Sequence, residues 1–279
     1  MMKKITVVDA LKEARENAYG VGAFNILDYT TASAVIAAAE IHKKPVILQT
    51  SVGTVKYYGA KRLGSMINTL KCDAKVPVFL HLDHCRSVEF AKECVDAGWD
   101  SIMIDASASP LEENIQMTRE AADYAHSRGV FAEGELGVIE GVEEEISAET
   151  GKLADYEDCF KFVEESHIDF FAPAIGTAHG VYKKAPKLKF DLVEALGKEM
   201  DQPIVCHGGT GLSDETFRRL ITLGIAKVNV STALKHAYMD AAKAYLEEDG
   251  ESYAPMKLIE RQWQEVRDMA KRLIAVFAN

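Results

Sequence analysis

Acidic and imidazole side chains are crowded into the segment VPVFLHLDHCRS, residues 76 to 87. An apolar run gives way there to His81, Asp83 and His84. Packing alone gives a buried strand no reason to end in this way. Because imidazoles bind metal ions and a neighbouring carboxylate can transfer a proton, the segment predicts a catalytic or metal-binding position at the end of a strand.

Two further histidines, His179 in GTAHGVYK and His207 in CHGGTGL, also follow short apolar runs. A lone histidine is more often structural, but three at the ends of strands favour a shared metal ion. Neutral imidazoles suit Zn²⁺, and three protein ligands leave a position for water or substrate, as in catalytic zinc sites. For His81, which shares a strand face with Asp83, a structural role is slightly favoured over one in orienting the site.

The carboxylate next to His84 indicates proton transfer. Successive side chains of a strand diverge, so we expect Asp83 not to share the metal with His84. It would then be free to move a proton to or from a substrate hydroxyl. A zinc ion can stabilise the enediolate that forms when a carbon–carbon bond next to a ketone breaks.

Small-residue loops follow the same apolar runs and predict a phosphate site. HGGTG supplies Gly208, Gly209 and Gly211, NVSTA supplies Ser231 and Thr232, and HGVYK is a third such loop. Backbone N–H groups at the start of a helix stabilise an anion. Barrels commonly bind phosphate at the loops after strands seven and eight, where two of these loops are expected.

The elements that would position these residues alternate between apolar runs and helix-like stretches. Eight runs are seen: VGAFNI, PVILQT, VPVFLHL, SIMIDA, VFAEGEL, DFFAPAI, PIVCHGG and AKVNVST. Strands that are apolar on both faces and alternate with helices predict a parallel sheet. Eight units in this length predict an α/β fold, a (β/α)8 TIM barrel, forming a single domain over residues 1–279. VVDALKEAREN would be an N-terminal capping helix and MKLIERQWQEVRDMAKRLIAVF an extra C-terminal helix.

A doubly wound sheet is the alternative architecture, and the sequence argues against it. That fold usually has a glycine-rich fingerprint between its first strand and helix. The nearest match, GVGAFN, begins before the first strand rather than after it and lacks the third glycine.

Composition narrows the classes of partner. The chain has 279 residues and a net charge of −11, which argues against nucleic acid and anionic membranes as partners. Its five cysteines include no CxxC pair, which favours a reducing compartment. The N-terminus lacks the apolar stretch of a secretory signal, and no run approaches a membrane span, so we expect a cytoplasmic protein.

The motifs HLDH, IDAS, EGELG, HGVYK, HGGTGL and KVNVST, in this order and spacing, resemble the zinc-dependent class II ketose-bisphosphate aldolases. The resemblance covers residues 3 to about 245. It implies a lyase of carbohydrate metabolism and glycolysis that cleaves a ketose 1,6-bisphosphate of the fructose or tagatose type. The products would be dihydroxyacetone phosphate and an aldehyde, either glyceraldehyde 3-phosphate or a related one.

The resemblance also implies roles for individual residues. Asp83 matches the catalytic acid/base, and Glu143 matches a mobile-loop glutamate that handles the proton at the enediolate carbon. His84, His179 and His207 match the zinc ligands, and Asp105 and Glu135 match carboxylates of an alternative or second metal position. The residues matching substrate contacts are Gly180, Lys183, Gly208, Gly209, Thr210, Asn229, Val230, Ser231 and Thr232. A monovalent cation, Na⁺ or K⁺, often assists the phosphate, and a homodimer or homotetramer is expected.

One departure from the family pattern concerns the far end of the substrate. Many members carry Asp-Pro-Arg before the last helix, and the arginine is linked to the second phosphate. This chain has Ala254, Pro255 and Met256 instead, and methionine cannot bind phosphate. Lys56 remains as a basic contact near strand two. We hypothesise that the aldehyde half differs from glyceraldehyde 3-phosphate, as a modified sugar phosphate or an unphosphorylated aldehyde.

Three other functions are alternatives to cleavage. A metal-dependent sugar-phosphate epimerase or isomerase needs two acid/base groups on opposite faces of a diolate, which Glu135 and Asp105 could supply. A metallohydrolase of the amidohydrolase kind needs an HxH pair on the first strand, and VGAFNI has no histidine. A catalytically silent barrel should have lost Asp83 or a ligand histidine, and neither is missing.

Overall fold

The computed structural model describes residues 5–143, 146–148, 150–180, 186–249 and 253–278, and of these it describes only the backbone of residues 142, 143, 146, 147 and 249. Within these residues the chain forms eleven strands and eleven helices.

Eight parallel strands close into a barrel, which confirms the predicted α/β TIM-barrel fold. Their bounds are β1 Val21–Asn25, β2 Val46–Ser51, β3 Val78–Cys85, β4 Ser101–Ile104, β5 Phe131–Leu136, β8 Phe170–Pro173, β10 Ile204–Cys206 and β11 Ile225–Val230. Hydrogen bonding runs around the ring in this order and returns from β11 to β1. Almost every residue of these strands is buried, because each faces either the barrel interior or the surrounding helices.

The helices surround the barrel. Their bounds are α1 Val7–Glu16, α2 Tyr29–His42, α3 Val52–Tyr58, α4 Ala60–Asp73, α5 Val88–Asp96, α6 Leu111–His126, α7 Tyr156–Ser166, α8 Phe190–Glu199, α9 Asp214–Thr222, α10 Thr232–Asp249 and α11 Pro255–Phe277. Several begin where a short polar side chain accepts a hydrogen bond from a backbone N–H of the first turn. Asp28, Ser87 and Ser213 act in this way, so the loops at the carboxyl ends of the strands turn directly into helices.

Helix α1 closes the floor of the barrel, as predicted. Thr6 and Asp9 form a reciprocal capping box at its start. Its buried face, which includes Leu11, packs against the apolar residues that fill the lower barrel interior. These are Val21, Ala23, Ile47, Phe79, Phe170, Ala172, Val205 and Ala226. The floor is therefore apolar, and polar interior residues lie above it.

The predicted C-terminal helix is α11, which packs along α2 and α10. Pro255 occupies its first turn, where the missing N–H costs no hydrogen bond. At its other end the carbonyl of Phe277 accepts a hydrogen bond of 2.8 Å from the N–H of Gly20, just before β1. The end of the last helix is thus hydrogen-bonded to the residue that precedes the first barrel strand. That residues 1–279 form one domain stays a prediction.

A small sheet lies outside the barrel, between strands β5 and β10 in the chain. Its strands are β6 Glu140–Glu143, β7 Ile146–Ala148 and β9 Ala178–His179. Strand β6 pairs antiparallel with β7 and parallel with β9, where Gly141 is opposite His179. This sheet carries one of the predicted metal ligands.

No helix of the described residues is long and apolar enough to cross a lipid bilayer.

The apolar floor should depend on Leu11, which is fully buried against the interior residues. We expect Leu11→Ala to lower the free energy of unfolding by about 2–5 kcal/mol, because it removes apolar contacts and leaves a cavity. Urea denaturation followed by circular dichroism measures this loss. Lys12→Ala, at the exposed neighbouring position, should change stability by less than about 0.5 kcal/mol. Equal effects of the two variants would contradict the role given to α1.

Candidate metal and active site

A β-bulge at the end of β3 presents Asp83 and His84 together. Leu82 is opposite Ile102 of β4 and Cys85 is opposite Ile104, so β3 contains one residue more than its partner over this stretch. His84 has a φ of 47°, in the left-handed region that non-glycine residues seldom occupy. The extra residue re-aims the side chains towards the carboxyl-end mouth of the barrel.

The bulge interrupts the regular alternation of the strand, so the expected divergence of the two side chains does not follow from alternation alone. Both are buried at the same mouth, and the amide of Asn229 lies within 3.3 Å of Asp83 and of the ring of His207. His207 in turn contacts His84. The two residues nevertheless have different partners, so the expected separation of their roles stays a prediction.

The three predicted metal ligands converge. One ring nitrogen from each of His84, His179 and His207 lies within 4.8 Å of the others, and all three residues are buried. The Nε2 atom of His84 is 2.9 Å from Nδ1 of His207. The ring centroids of His84 and His179 are 5.0 Å apart. Three imidazoles from β3, β9 and the residue after β10 therefore face one point, which suits a divalent cation such as Zn²⁺.

The cluster divides into one basic and two weakly basic imidazoles. Burial lowers the pKa of His179 and of His207 well below the usual value, and the charge of His84 adds to this effect. Burial also opposes the charge of His84, but Asp83 and the hydrogen bond with Asp105 raise its pKa well above the usual value. A protonated His84 donates from Nδ1 to Asp105 and from Nε2 to His207.

Asp105 and Glu135 lie next to the cluster but outside the three-histidine group. Asp105 follows β4 and contacts Nδ1 of His84 at 3.0 Å, on the side away from His207. Burial tends to raise the pKa of Asp105, but hydrogen bonds with His84 and Ser107 lower it. Glu135 in β5 has a carboxylate oxygen 3.8 Å from Nδ1 of His207. Burial, with the nearby Asp105, raises the pKa of Glu135 well above its usual value.

Asp83 is held by two amides. Asn25 at the end of β1 donates a hydrogen bond of 2.8 Å to one carboxylate oxygen, and Asn229 of β11 donates one of 3.3 Å to the other. The amide of Gln49 donates to the side-chain oxygen of Asn25 at 2.9 Å. Asn25 and Gln49 were not predicted as site residues. The sequence could have indicated them, because both are polar residues near the carboxyl ends of apolar strands.

A second group of unpredicted residues lies below the histidines, inside the barrel. Oε1 of Glu133 in β5 lies 2.7 Å from Nε2 of His207. Lys227 of β11 lies 2.6 Å from the other carboxylate oxygen. His81, fully buried, contacts Ser101 at 2.8 Å through Nδ1 and has Nε2 3.4 Å from Glu133. Charged residues in the middle of apolar strands, as in FAEGEL and IAKVNV, were the available signal.

The predicted phosphate loops lie beside the cluster. Gly208 has a φ of 68°, and a Cβ there would lie 2.5 Å from the carbonyl oxygen of Ala178, so only glycine fits. Ser231 immediately precedes α10, and its buried hydroxyl has no hydrogen-bond partner within the described part of the chain. Of the other predicted contacts, Gly180, Gly209, Thr210, Asn229, Val230 and Thr232 lie in the same loops and strand ends. Lys183 lies outside the described residues.

The predicted loop glutamate, Glu143, is the last residue of β6, and its side chain lies outside what the structure describes. The backbone of this strand is fixed against His179 by Gly141. Its φ of 112° and a Cβ position only 2.2 Å from the carbonyl oxygen of His179 exclude other residues. The small sheet therefore brings the segment containing Glu143 next to a predicted metal ligand.

Together the fold and the site are those of a barrel enzyme with a candidate metal centre. The chain is a (β/α)8 barrel with three buried, converging histidines at the carboxyl ends of its strands, where barrel enzymes place their catalytic residues.

Comparison with known proteins gives the family. Residues 5–279 match the family model of class II fructose-bisphosphate aldolase, and the chain belongs to this family. It is 41% identical to the fructose-bisphosphate aldolase of Geobacillus stearothermophilus over 92% of this chain and 91% of that protein. It is 38% identical to the fructose-bisphosphate aldolase of Staphylococcus epidermidis over 100% of this chain and 98% of that protein. The crystal structure of the YdjI aldolase from Escherichia coli K12 superposes with a TM-score of 0.86. The two sequences are 33% identical, and the match covers 97% of this chain and 96% of that chain.

Family membership confirms the resemblance inferred from the motifs and makes the chain a lyase of the aldolase type. The epimerase alternative is not favoured by these matches.

The close approach of Gly141 to His179 should be sensitive to a single methyl group. We expect Gly141→Ala to break the pairing of β6 with β9, because the Cβ clashes with a carbonyl oxygen and the φ is unfavourable by about 1–2 kcal/mol. Amide hydrogen exchange should become at least about tenfold faster at residues 140–143 and 178–180.

Gly129→Ala is the matched control. Its φ of 71° imposes a similar backbone strain, but nothing lies within 4 Å of the added Cβ. It should leave exchange in the small sheet unchanged. Unchanged exchange in Gly141→Ala would show that the contact with His179 does not hold β6 in place.

Proposed function

We propose that the chain is a Zn²⁺-dependent class II aldolase that cleaves a ketose 1,6-bisphosphate to dihydroxyacetone phosphate and an aldehyde. The observation that carries the proposal is the convergence of His84, His179 and His207 on one point beside Asp83. The relatives named fructose-bisphosphate aldolase support a substrate of the fructose or tagatose type.

The donor set fits zinc. Three buried imidazoles face one point. The lowered pKa values of His179 and His207 favour neutral nitrogen lone pairs, and His84 would bind an ion once it has lost its proton. Asp105 and Glu135 lie close enough to serve as an alternative or second metal position. Bound there, Zn²⁺ would stabilise negative charge on the carbonyl oxygen of a ketose.

Asp83 is proposed as the acid/base of the cleavage step. It would take the proton from the hydroxyl on the carbon that becomes the aldehyde. The carbon–carbon bond next to the ketone then breaks, its electron pair passes to the ketone half as an enediolate, and the aldehyde leaves. The amides of Asn25 and Asn229 fix the carboxylate by donating to both of its oxygens, so it needs no reorientation before the transfer.

The second proton transfer converts the enediolate to dihydroxyacetone phosphate. Glu143 is proposed to deliver this proton to carbon, because β6 carries it on the sheet that pairs with His179. In the opposite direction the same residue would remove a proton from dihydroxyacetone phosphate.

The phosphate of dihydroxyacetone phosphate is proposed to bind between the loop after β10 and the start of α10. The buried Ser231 hydroxyl without a partner and the N-terminus of α10 suit an anion. The proposed contacts are Gly180, Lys183, Gly208, Gly209, Thr210, Asn229, Val230, Ser231 and Thr232. A monovalent cation, Na⁺ or K⁺, at this phosphate stays a prediction.

We propose further that the site also accepts a ketose phosphate whose aldehyde half differs from glyceraldehyde 3-phosphate. Met256, which stands where an arginine is usual, is 71% exposed at the start of α11. Lys56, on helix α3 directly after β2, is a candidate for a basic contact at the mouth. Its charge acts on Cys85 at the end of β3, although burial dominates and raises the pKa of that thiol to about 11.

Self-association as a homodimer or homotetramer is also proposed. Large apolar side chains remain exposed on α10 and α11, among them Met239, Leu246 and Ile259. Such a surface is typical of a protein contact. A cytoplasmic location stays a prediction.

Release of dihydroxyacetone phosphate tests the function directly. We expect the zinc-loaded chain to release it from a fructose- or tagatose-type phosphate, measured as NADH oxidation in an assay coupled to a glycerol-phosphate dehydrogenase. The 1,6-bisphosphates and the 1-phosphates should be compared, and a strong preference for a bisphosphate would contradict the proposal on the aldehyde half. Interconversion of sugar phosphates without triose phosphate would identify an epimerase instead.

The role of Asp83 is separable from metal binding. Asp83→Ala should retain zinc, because the three histidines remain, and should lower kcat by roughly 10²–10⁴-fold. His207→Ala should lose zinc and activity together. Zinc content by mass spectrometry and turnover on the same samples separate the two variants. Loss of zinc from Asp83→Ala would show that Asp83 is a ligand.

A further inference from the structure

The barrel interior below the histidines contains an ion pair that folding alone does not explain. Glu133 and Lys227 are both fully buried, with 2.6 Å between the ammonium nitrogen and Oε2 of the carboxylate. Interior layers of such barrels are dominated by branched apolar residues. A buried ion pair is often no more stabilising than apolar residues of similar volume, so another reason for the pair is needed.

The second oxygen of Glu133 faces His207. Its Oε1 atom is 2.7 Å from Nε2 of the imidazole. A carboxylate in an ion pair only accepts hydrogen bonds, and Oε2 of Glu133 already accepts one from the ammonium of Lys227. The proton of His207 must therefore reside on Nε2. A neutral imidazole carries one N–H, which leaves the lone pair on Nδ1.

That lone pair faces the metal-binding point. Nδ1 of His207 is 2.9 Å from Nε2 of His84, and both atoms belong to the three-histidine cluster. The same ring thus has one nitrogen committed to the barrel interior and the other directed at the cluster.

His84 is compatible with this tautomer, because a protonated His84 donates from Nε2 to Nδ1 of His207, and the remaining neighbours do not settle the position of the proton. The amide nitrogen of Asn229 is 3.3 Å from Nδ1 and 3.2 Å from Nε2 of His207. An atom nearly equidistant from both ring nitrogens lies over the ring and is aligned with neither lone pair. His81 is engaged by Ser101 through Nδ1 and reaches only the oxygen of Glu133 that Lys227 also contacts.

We propose that Glu133, held by Lys227, is the positioning residue that fixes the proton on Nε2 of His207 and so directs Nδ1 at the metal. The inference rests on the zinc site of the proposed function, but it concerns the tautomer of the metal-free chain. Hydrogen bonding at one ring nitrogen generally sets which nitrogen of a histidine binds a metal.

The ion pair predicts that a second substitution, at Lys227, reverses the effect of a first substitution at Glu133. In Glu133→Gln, the ammonium of Lys227 can still only donate a hydrogen bond, so it contacts the oxygen of the new amide. The NH₂ group of the amide then faces Nε2 of His207. Nε2 must then accept, so the proton moves to Nδ1, where Nε2 of a neutral His84, whose own proton stays on Nδ1 beside Asp105, accepts the hydrogen bond. In Glu133→Gln with Lys227→Met, the amide is free to turn its oxygen to Nε2, and the original tautomer returns.

Long-range ¹H–¹⁵N correlation spectra of histidine-labelled, metal-free protein read the tautomer, with His207→Gln identifying the signals. We expect the proton on Nε2 in the wild type and in the double variant, and on Nδ1 in Glu133→Gln. Zinc affinity, measured by chelator competition, should fall about 10–100-fold in Glu133→Gln and recover to within about threefold of wild type in the double variant.

Ser101→Ala is the matched control, because it removes a buried hydrogen bond of the same interior layer without touching His207. It should change neither the tautomer nor the zinc affinity. Circular dichroism of each variant verifies folding. If Glu133→Gln does not fold, the wild-type spectrum and the double variant still decide the question.

A wild-type proton on Nδ1 of His207 would overturn the proposal by itself. So would equal loss of zinc affinity in the single and double variants, since the charge and not the lone-pair direction would then matter. The tautomer needs no turnover to be read. A chain with the expected tautomer but no aldolase activity would count against the proposed function alone.

Discussion

The site depends on one contact, that between Nε2 of His84 and Nδ1 of His207. These residues are 123 positions apart, and two unrelated constraints bring their ring nitrogens together. Closure of the parallel sheet brings the ends of β3 and β10 to one mouth. The bulge with a left-handed His84 then turns that side chain inward. Removal of either constraint would leave two separate buried histidines.

Charges around this contact are arranged in two levels. Asp83, Asp105 and Glu135 surround the histidines at the mouth, and Glu133 and Lys227 lie beneath them. The upper acids raise the pKa of His84, whereas burial and the charge of His84 lower that of His207. Below both levels the barrel is filled by apolar residues against α1. The stability of the barrel and the chemistry of its mouth are therefore supplied by different layers of the same strands.

The barrel and the three-histidine set could be predicted from the sequence because both depend on local patterns. Apolar runs mark the strands, and polar residues at their carboxyl ends mark the mouth. The bulge could not be predicted, because HLDH reads as an ordinary strand until its pairing with β4 is known. Glu133 and Lys227 were missed for a related reason, since only closure of the barrel shows that two interior charges on distant strands meet. The pairing of Gly141 with His179 in the small sheet could not be predicted either, because it joins residues that are distant in sequence.

The three histidines differ in what anchors them. His84 and His207 belong to barrel strands or their ends, whereas His179 is carried by β9, which pairs with β6 outside the barrel. Local opening generally requires less free energy than global unfolding, and a sheet of short strands opens sooner than a closed barrel. A metal ion held by all three histidines would therefore lose the His179 ligand while the barrel stays intact. The rate of metal exchange should accordingly follow the opening of the small sheet, independently of the global stability of the protein.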